Sequence, residues 1–462
     1  MVARKWLSRV ALLAIPGIAW AQQTKPQETL VERVGSTGLI QVRAESFRAL
    51  DARQQALVYW LSQASIAIDP IIYDQVSRFG LRQKRLLDAI AGHPAGIGPA
   101  ALDKIMAFTK LFWANRGNHN DTTAQKFLPD FTFDELKSAA LQARSHGALH
   151  EFATDQALVK ELEDLRPSLF DADFEPMITA KSPRGNLDIL QASANNFYVN
   201  VRFADLKNFQ ERYSVNSRLV KKADGGLVEE VYRAGTPDKK VPPGLYAQYL
   251  QKAIEFCQKA LPLAEPGQDA VLRDLIRYYQ TGEYKDWLKF DQDWTLNNPA
   301  VDFANGFIEV YRDARGAKGT AQSFVSIRDP KLDSTKIAAN AQYFEDHAPW
   351  ANQYKKQGVQ PPRAKAVETV IETGDFHVNT IGDNLPNENE IREKYGTKSF
   401  ILVSSSRAIS QASGTRSLEE FAASPGGDRH WQEIRRRSAG PDDHHARDHR
   451  ARLGQAESEA GA

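Results

Sequence analysis

Asn196-Phe197-Tyr198-Val199-Asn200-Val201-Arg202-Phe203 marks the point at which this chain changes its period. Phe197, Val199, Val201 and Phe203 recur at every second position, the pattern of a half-buried strand. What precedes it reads as helix. Between residues 45 and 64 the apolar Phe47, Leu50, Leu57 and Leu61 fall on one side of a helix, and 100–113 and 132–144 repeat that spacing. Beyond Phe203, strand-like runs at 227–232, 307–311, 367–372 and 399–404 are interspersed with helical stretches at 245–261 and 270–281. Residues 329–356 read as helix carrying Phe344, Trp350 and Tyr354, and Gln360-Pro361-Pro362 punctuates the return to strand. The expected class is therefore α+β with a substantial antiparallel component. No repeat of roughly 20–50 residues is visible, which argues against a solenoid.

With 462 residues the chain has room for two lobes with sizeable cores. Apolar residues at 42% and charged ones at 25% are the balance of a globular protein. Lys plus Arg number 59 against 58 for Asp plus Glu, so the overall charge offers nothing to nucleic acid or to an anionic membrane. Cys257 is the single cysteine, so no internal disulfide can form, and its helical surroundings mark it as a small core residue. Arg4, Lys5 and Arg9 precede an apolar run at 10–18 and then Ala19-Trp20-Ala21, the layout of a secretory signal peptide over residues 1–21. This predicts an exported, periplasmic protein starting near Gln22; an uncleaved anchor is the alternative. No later run approaches the roughly 20 apolar residues of a membrane span.

From about Gly427 to Ala462 the composition turns polar, basic and His-rich, with Trp431, Ile434 and Leu453 its only sizeable apolar residues. Such a segment buries too little surface to offset its ordering entropy, so 426–462 is expected to be a disordered tail. Read one nucleotide later, the codons permitted by residues 440–445 can spell D-L-T-T-T-M, and those permitted by 446–461 can spell H-E-I-I-G-H-G-S-G-K-L-N-P-K-L-E. In that string two imidazoles on a helix would bind zinc, and the glutamate beside the first would polarise the metal-bound water.

The H-E-x-x-G-H spacing resembles that of the dipeptidyl-peptidase III zinc metallopeptidases, and so do several blocks in the chain's own frame. They are Phe112-Trp113-Ala114-Asn115-Arg116-Gly117-Asn118 with Gln125-Lys126-Phe127-Leu128-Pro129, Ser193-Ala194-Asn195-Asn196-Phe197-Tyr198, and Asn216-Ser217-Arg218-Leu219-Val220-Lys221. Further on come Gly306-Phe307-Ile308-Glu309-Val310-Tyr311-Arg312-Asp313 with Gly319, and Asn384-Leu385-Pro386-Asn387 leading to Tyr395-Gly396-Thr397-Lys398-Ser399. Their order along residues 30–425 makes the resemblance specific. It implies a two-lobed molecule with substrate in the cleft, one lobe mainly helical and catalytic, the other containing a five-stranded barrel. On that plan 22–328 is the barrel-bearing lobe, 329–360 a partial excursion into the catalytic lobe, and 361–425 the return strands of the first.

The resemblance also implies release of dipeptides from the amino ends of short peptides, with zinc as cofactor. Asn384 and Asn387 fall where the family holds the amino end of the substrate, and Asp302 where an acidic residue pairs with its ammonium. An amide offers donor and acceptor together, and a carboxylate clamps the amine, which fixes the cut two residues on. Ala304 stands where eukaryotic members carry a tyrosine. In its own frame the chain lacks the glutamate and both histidines of the motif. The expectation is thus a truncated, catalytically inactive member without specific zinc, or alternatively a periplasmic peptide-binding module; the oligomeric state is not legible.

Other candidates carry less. His146 and His150 are four apart, but no glutamate follows the first, Gly147 weakens the helix and no third ligand is marked. His445 and His449 lie inside the out-of-frame tail. Ser404-Ser405-Ser406 has no G-x-S-x-G elbow around it and reads as a strand end, and no phosphate-binding loop is present.

Overall fold

A hairpin of β1 (Leu30–Val34) and β2 (Thr37–Ile40) opens the computed structural model, which describes residues 29–329, 340–358, 363–376 and 380–413. The signal segment at 1–21, residues 330–339 and the tail at 426–462 lie outside the described residues. The chain then makes a single 3-10 turn at Glu45–Ala49 and enters α1 (Ala52–Val76). Asp51 starts that helix: its carboxylate accepts from the backbone N–H of Gln54, and the Gln54 side chain bonds back to Asp51.

Two hydrophobic cores share α1. Its last turn, with Ile72, Tyr73 and Val76, joins one formed by α2 (Gly80–Gly92), α3 (Pro99–Asn115), α4 (Phe133–Ser145) and α5 (Asp155–Phe170). Thr132 caps α4 as Asp51 caps α1, with Glu135 returning the bond. These helices sit where apolar spacing places them at 100–113 and 132–144. The alternation at 197–203 yields only β3 (Tyr198–Val199), because Asn200 takes a left-handed backbone (φ 58°) and Phe203 begins a 3-10 turn. β3 runs parallel to β4 (Ser217–Lys221), which pairs antiparallel with β5 (Leu227–Val231).

The larger core gathers α1 from Leu57 to Ile71, then α6 (Ala247–Ala260), α7 (Gln268–Thr281) and α8 (Tyr284–Leu296), around a five-stranded sheet. Its strands are β6 (Val301–Phe307), β7 (Ala321–Arg328), β8 (Arg363–Gly374), β9 (Gly382–Leu385) and β10 (Lys398–Leu402), hydrogen-bonded in the order β6-β7-β8-β10-β9. β8 and β10 are parallel and the remaining pairs antiparallel, so the architecture is mixed helix and sheet, the α+β class expected from the change of period. Gln75 ties α1 to this sheet, accepting from the Ala321 N–H (2.7 Å) and donating to the Gly319 carbonyl (3.0 Å). Cys257 lies buried on α6, where burial pushes its thiol up to about 12.

Some local expectations are corrected. The strand expected at 307–311 lies upstream, at Val301–Phe307, and Ser404, Ser405 and Ser406 belong to the first turns of a helix, Val403–Ser413, not to a strand end. Within 329–356 the described helical residues are Ala341–Asp346 and a 3-10 turn at Asn352–Tyr354. Among the described residues no helix is long and apolar enough to cross a membrane.

Candidate functional site

β9 is an edge strand: among the described residues it hydrogen-bonds only to β10. Asn384 sits on it and Asn387 two residues past its end, both exposed. The Asn384 amide donates to Ser399 Oγ (2.5 Å) and Thr397 Oγ1 (3.1 Å), so β10 and the residue before it set its orientation. Asn387 donates to Glu309 Oε1 (3.2 Å), which lies just beyond the end of β6. The structure therefore brings the two asparagines to one edge of the sheet, and each keeps its side-chain carbonyl oxygen as an acceptor.

Asp302 does not join them. It lies on β6, only 2% exposed, and its Oδ2 accepts from Lys365 on β8 (2.7 Å) and Lys398 on β10 (3.0 Å). Its Oδ1 accepts from the Phe303 N–H (2.9 Å). Both oxygens are thus engaged inside the sheet. As placed, this carboxylate fastens β6 to β8 and β10, apart from the edge that carries Asn384 and Asn387. Burial pushes Asp302 up, but Lys398 and then Lys365 together pull harder and leave it below its ordinary value.

The two edges of the sheet come together around α8. Ala304 and Ile308 on one side, and Leu385, Pro386, Asn387 and Glu388 on the other, line a small recess whose wall is the apolar face of α8. Trp287 and Phe290 stack there with ring centroids 5.1 Å apart. The Trp287 indole N–H donates to Glu388 Oε1 (2.7 Å) and fixes that carboxylate at the rim. Asp291 faces the same space, 3% exposed, and among the described residues its Oδ2 has no hydrogen-bond partner. Burial first, and the Glu388 carboxylate second, raise Asp291 well above its ordinary value.

Beyond the recess lining, two more carboxyls are raised. Glu309 is raised by burial, against the pull of Asn387, and Asp383 is pushed up to about 7 by burial and then by Glu309. Sequence reading missed Asp291, Asp383 and Glu388 as site residues. The one available signal was Asp291 itself, an acid on the face of α8 that otherwise buries Trp287, Phe290 and Trp294.

Zinc is the metal the family resemblance implies. Among the described residues no three His, Cys, Asp or Glu side chains come together as a metal seat, so these residues do not fit it. His146 caps α4, whose last residue is Ser145, and Gly147 (φ 100°) and Leu149 (φ 54°) turn the chain away. The four-residue spacing to His150 is therefore not a helical one. His445, His449 and the residues whose neighbouring frame spells H-E-x-x-G-H lie outside the described residues.

Comparison with known proteins puts this arrangement in context. The profile of peptidase family M49 matches residues 132–423. Dipeptidyl peptidase 3 of Dictyostelium discoideum is 23% identical over 423 residues, covering 84% of this chain and 57% of its own length. The Homo sapiens protein of that name is 22% identical over 406 residues, covering 78% and 53%. The chain thus spans about half the length of these curated relatives. Among solved structures, dipeptidyl-peptidase III from Corallococcus sp. strain EGB superposes with a TM-score of 0.53 at 18% identity, covering 79% of this chain and 56% of that one. DPP III from Caldithrix abyssi gives 0.52 at 20%, covering 78% and 56%. At such identities the two structures speak for the fold.

Proposed function

Because the M49 profile takes in more than half of its length, this chain belongs to peptidase family M49, and from that premise we propose that it holds a short peptide, amino end foremost, along the open edge of β9. The observation that carries the reading is the pair of exposed amides at that edge, Asn384 held by β10 and Asn387 by Glu309. An edge strand offers unpaired backbone N–H and C=O groups, to which an extended peptide can add as a further strand. Amides beside that edge supply the donor and acceptor that fix where the peptide's first residue stops. The names of the relatives, dipeptidyl peptidase 3, support peptides as the ligand class.

Hydrolysis in the family relies on zinc, and the described residues offer no seat for it. The chain in its own frame carries no H-E-x-x-G-H. We therefore read it as a binding and aligning scaffold that does not hydrolyse peptides by itself, exported to the periplasm by its basic and apolar start. The neighbouring-frame motif at 440–461 supports an origin in a full zinc peptidase; sequencing the DNA on both sides of codon 426 tests that origin.

Calorimetry with a tetrapeptide tests the binding reading. Binding that weakens about tenfold on Asn384→Ala, the loss of one or two hydrogen bonds, is the expected result. No binding by the folded full chain would overturn it. Release of a dipeptide from a chromogenic substrate, abolished by a chelator, would overturn the inactivity. Recovery of the protein in the cytoplasmic fraction would overturn export.

A further inference from the structure

The loop between β5 and α6 leaves a cleft against α6 and α7 that shares no lining residue with the edge of β9 or with the recess beside α8. Gln251, Ile254 and Gln258 fall on one face of α6 and line it together with Gln280 of α7. Gly235 lets the loop close: its φ is 84°, and a Cβ there would stand 2.7 Å from the Pro243 nitrogen. The Thr236 N–H donates to the Val241 carbonyl (2.9 Å), and the Val241 N–H donates back to the Thr236 hydroxyl (3.0 Å). Gln251 then ties the loop to α6 by donating to the Ala234 carbonyl (3.0 Å). The shape of the cleft is thus set by the fold, which lowers the ordering cost of any ligand.

Its chemistry selects a class of ligand. No acid lines the cleft, and the one cation there, Lys239, has no ion pair among the described residues. The acids nearby in sequence are engaged elsewhere: Asp238 accepts from the Thr236 hydroxyl (2.6 Å) and pairs with Lys240 (3.3 Å), and Glu255 pairs with Lys252 and Lys259. The side-chain amides of Gln258 and Gln280 have no partner among the described residues either, and each sets a donor beside an acceptor, the complement of a peptide unit. The remaining wall is saturated, with Pro237, Val241, Pro242 and Pro243 beside Ile254, so it suits an aliphatic body better than a planar ring. The space is about 500 Å³, within the roughly 300–1,000 Å³ of small-molecule sites. An inorganic anion would leave most of it to water.

We propose that this cleft binds the carboxylate end of a short aliphatic peptide, with the Lys239 ammonium for the carboxylate, the Gln258 and Gln280 amides for the last peptide unit, and the prolines and Ile254 for its side chains. The inference does not rest on the β9 reading, because the two places have no residue in common. Two sources share this chemistry, a free dipeptide and the carboxy end of a longer chain.

The probe is N-acetyl-Ala-Val, which has the carboxylate and peptide units but no free amine for the β9 edge, and a ligand-observed NMR titration of the full chain reads its affinity. It binds about fivefold more tightly than N-acetyl-Ala-Val amide, the upper end for an exposed ion pair, and the difference shrinks at high salt. Lys239→Gln, which removes the charge and keeps an unbranched polar side chain, closes that gap. Gln258→Trp, at an exposed position of α6, fills the cleft and lowers affinity for the acid about fivefold or more; circular dichroism establishes that both variants are folded. Ala-Ala-Ala-Ala amide, with the amine and without the carboxylate, does not displace the probe. N-acetyl-Ala-Ala-Ala-Val separates the sources: affinity equal to that of the shorter acid supports the carboxy end of a longer chain, and a marked loss supports a ligand of dipeptide size. Absence of binding by the acid, equal affinities for acid and amide, binding that survives both substitutions, or displacement by the tetrapeptide amide overturns the cleft site and leaves the β9 reading standing. Failure of the tetrapeptide amide to bind at all overturns the β9 reading alone.

Discussion

Asp302 and Asp291 are both buried carboxyls of the same core, and the structure treats them in opposite ways. Asp302, on β6, is held by Lys365 and Lys398 and is driven below its ordinary value; Asp291, on α8, meets Glu388 and is driven well above it. Burial is nearly the same in the two cases, 2% and 3% exposed. What differs is the sign of the neighbour. Desolvation sets the cost of charge at both places, and the partner decides whether the residue keeps its charge and fastens the sheet or is pushed towards its neutral form.

The contrast is broken most forcefully at Asp302. Asp302→Ala removes the carboxylate shared by two lysines that are themselves 5% and 0% exposed. The expected loss is about 3–5 kcal/mol, the cost of leaving one side of a buried ionic cluster behind, read as a lowered urea midpoint. The pH dependence has a definite sign. Because the folded value lies below the unfolded one, this stabilisation is present above the unfolded pKa near 4 and lost as pH falls through the folded value. An alanine variant as stable as the parent at pH 7 would mean the lysines have other sufficient support.

Asp291→Asn sharpens the contrast from the other side. Here the folded value is raised, so the parent loses stability as pH rises from the unfolded value towards the folded one. Asparagine does not titrate, so the variant should gain on the parent at pH 8 and hardly at all at pH 4. Asp383, held up to about 7, works in the same direction between its unfolded value near 4 and that one. Urea unfolding at the two pH values decides; a variant equally weakened at both would show that Asp291 serves packing instead.

How much of this was visible in the residues follows the same line between local and distant effects. α3, α4, α6 and α7 repeat their apolar residues at helical spacing, so their places could be read directly. β6 reads Val-Asp-Phe-Ala-Asn-Gly-Phe and is buried along its whole length, so it shows no alternation, and the expected strand fell downstream at 307–311. β7 is buried at every residue but Arg328 and was likewise not singled out. Asn384 and Asn387 were legible through a family block, whereas Trp287 and Glu388 lie 101 positions apart and no local pattern joins them. Asp302 lies four residues before a family block, yet its surroundings are set by Lys365 and Lys398, which arrive with two later strands.

Asn384→Ala probes the site while leaving both buried carboxyls alone. Its amide serves Ser399 and Thr397 at the exposed edge, so stability should fall by less than about 1 kcal/mol while tetrapeptide affinity falls about tenfold. A loss confined to stability would make Asn384 a fastening of β9 to β10 and would leave Asn387 to carry the peptide's end.

The smallest effect comes from a third acid pair, where a cation is already in place. Lys289 reaches Asp293 (2.5 Å) and Asp274 (3.7 Å) across α7 and α8, with its own side chain 52% exposed. Burial first, eased by Lys289 and reinforced by Asp293, holds Asp274 up at about 6. Here, unlike at Asp291 and Glu388, an ammonium meets the acid pair, and water is close by. Solvent screens such a pair, so Lys289→Ala should cost no more than about 1 kcal/mol at low salt, and less in high salt. Should it cost as much as Asp302→Ala, exposure would not be what separates these two clusters.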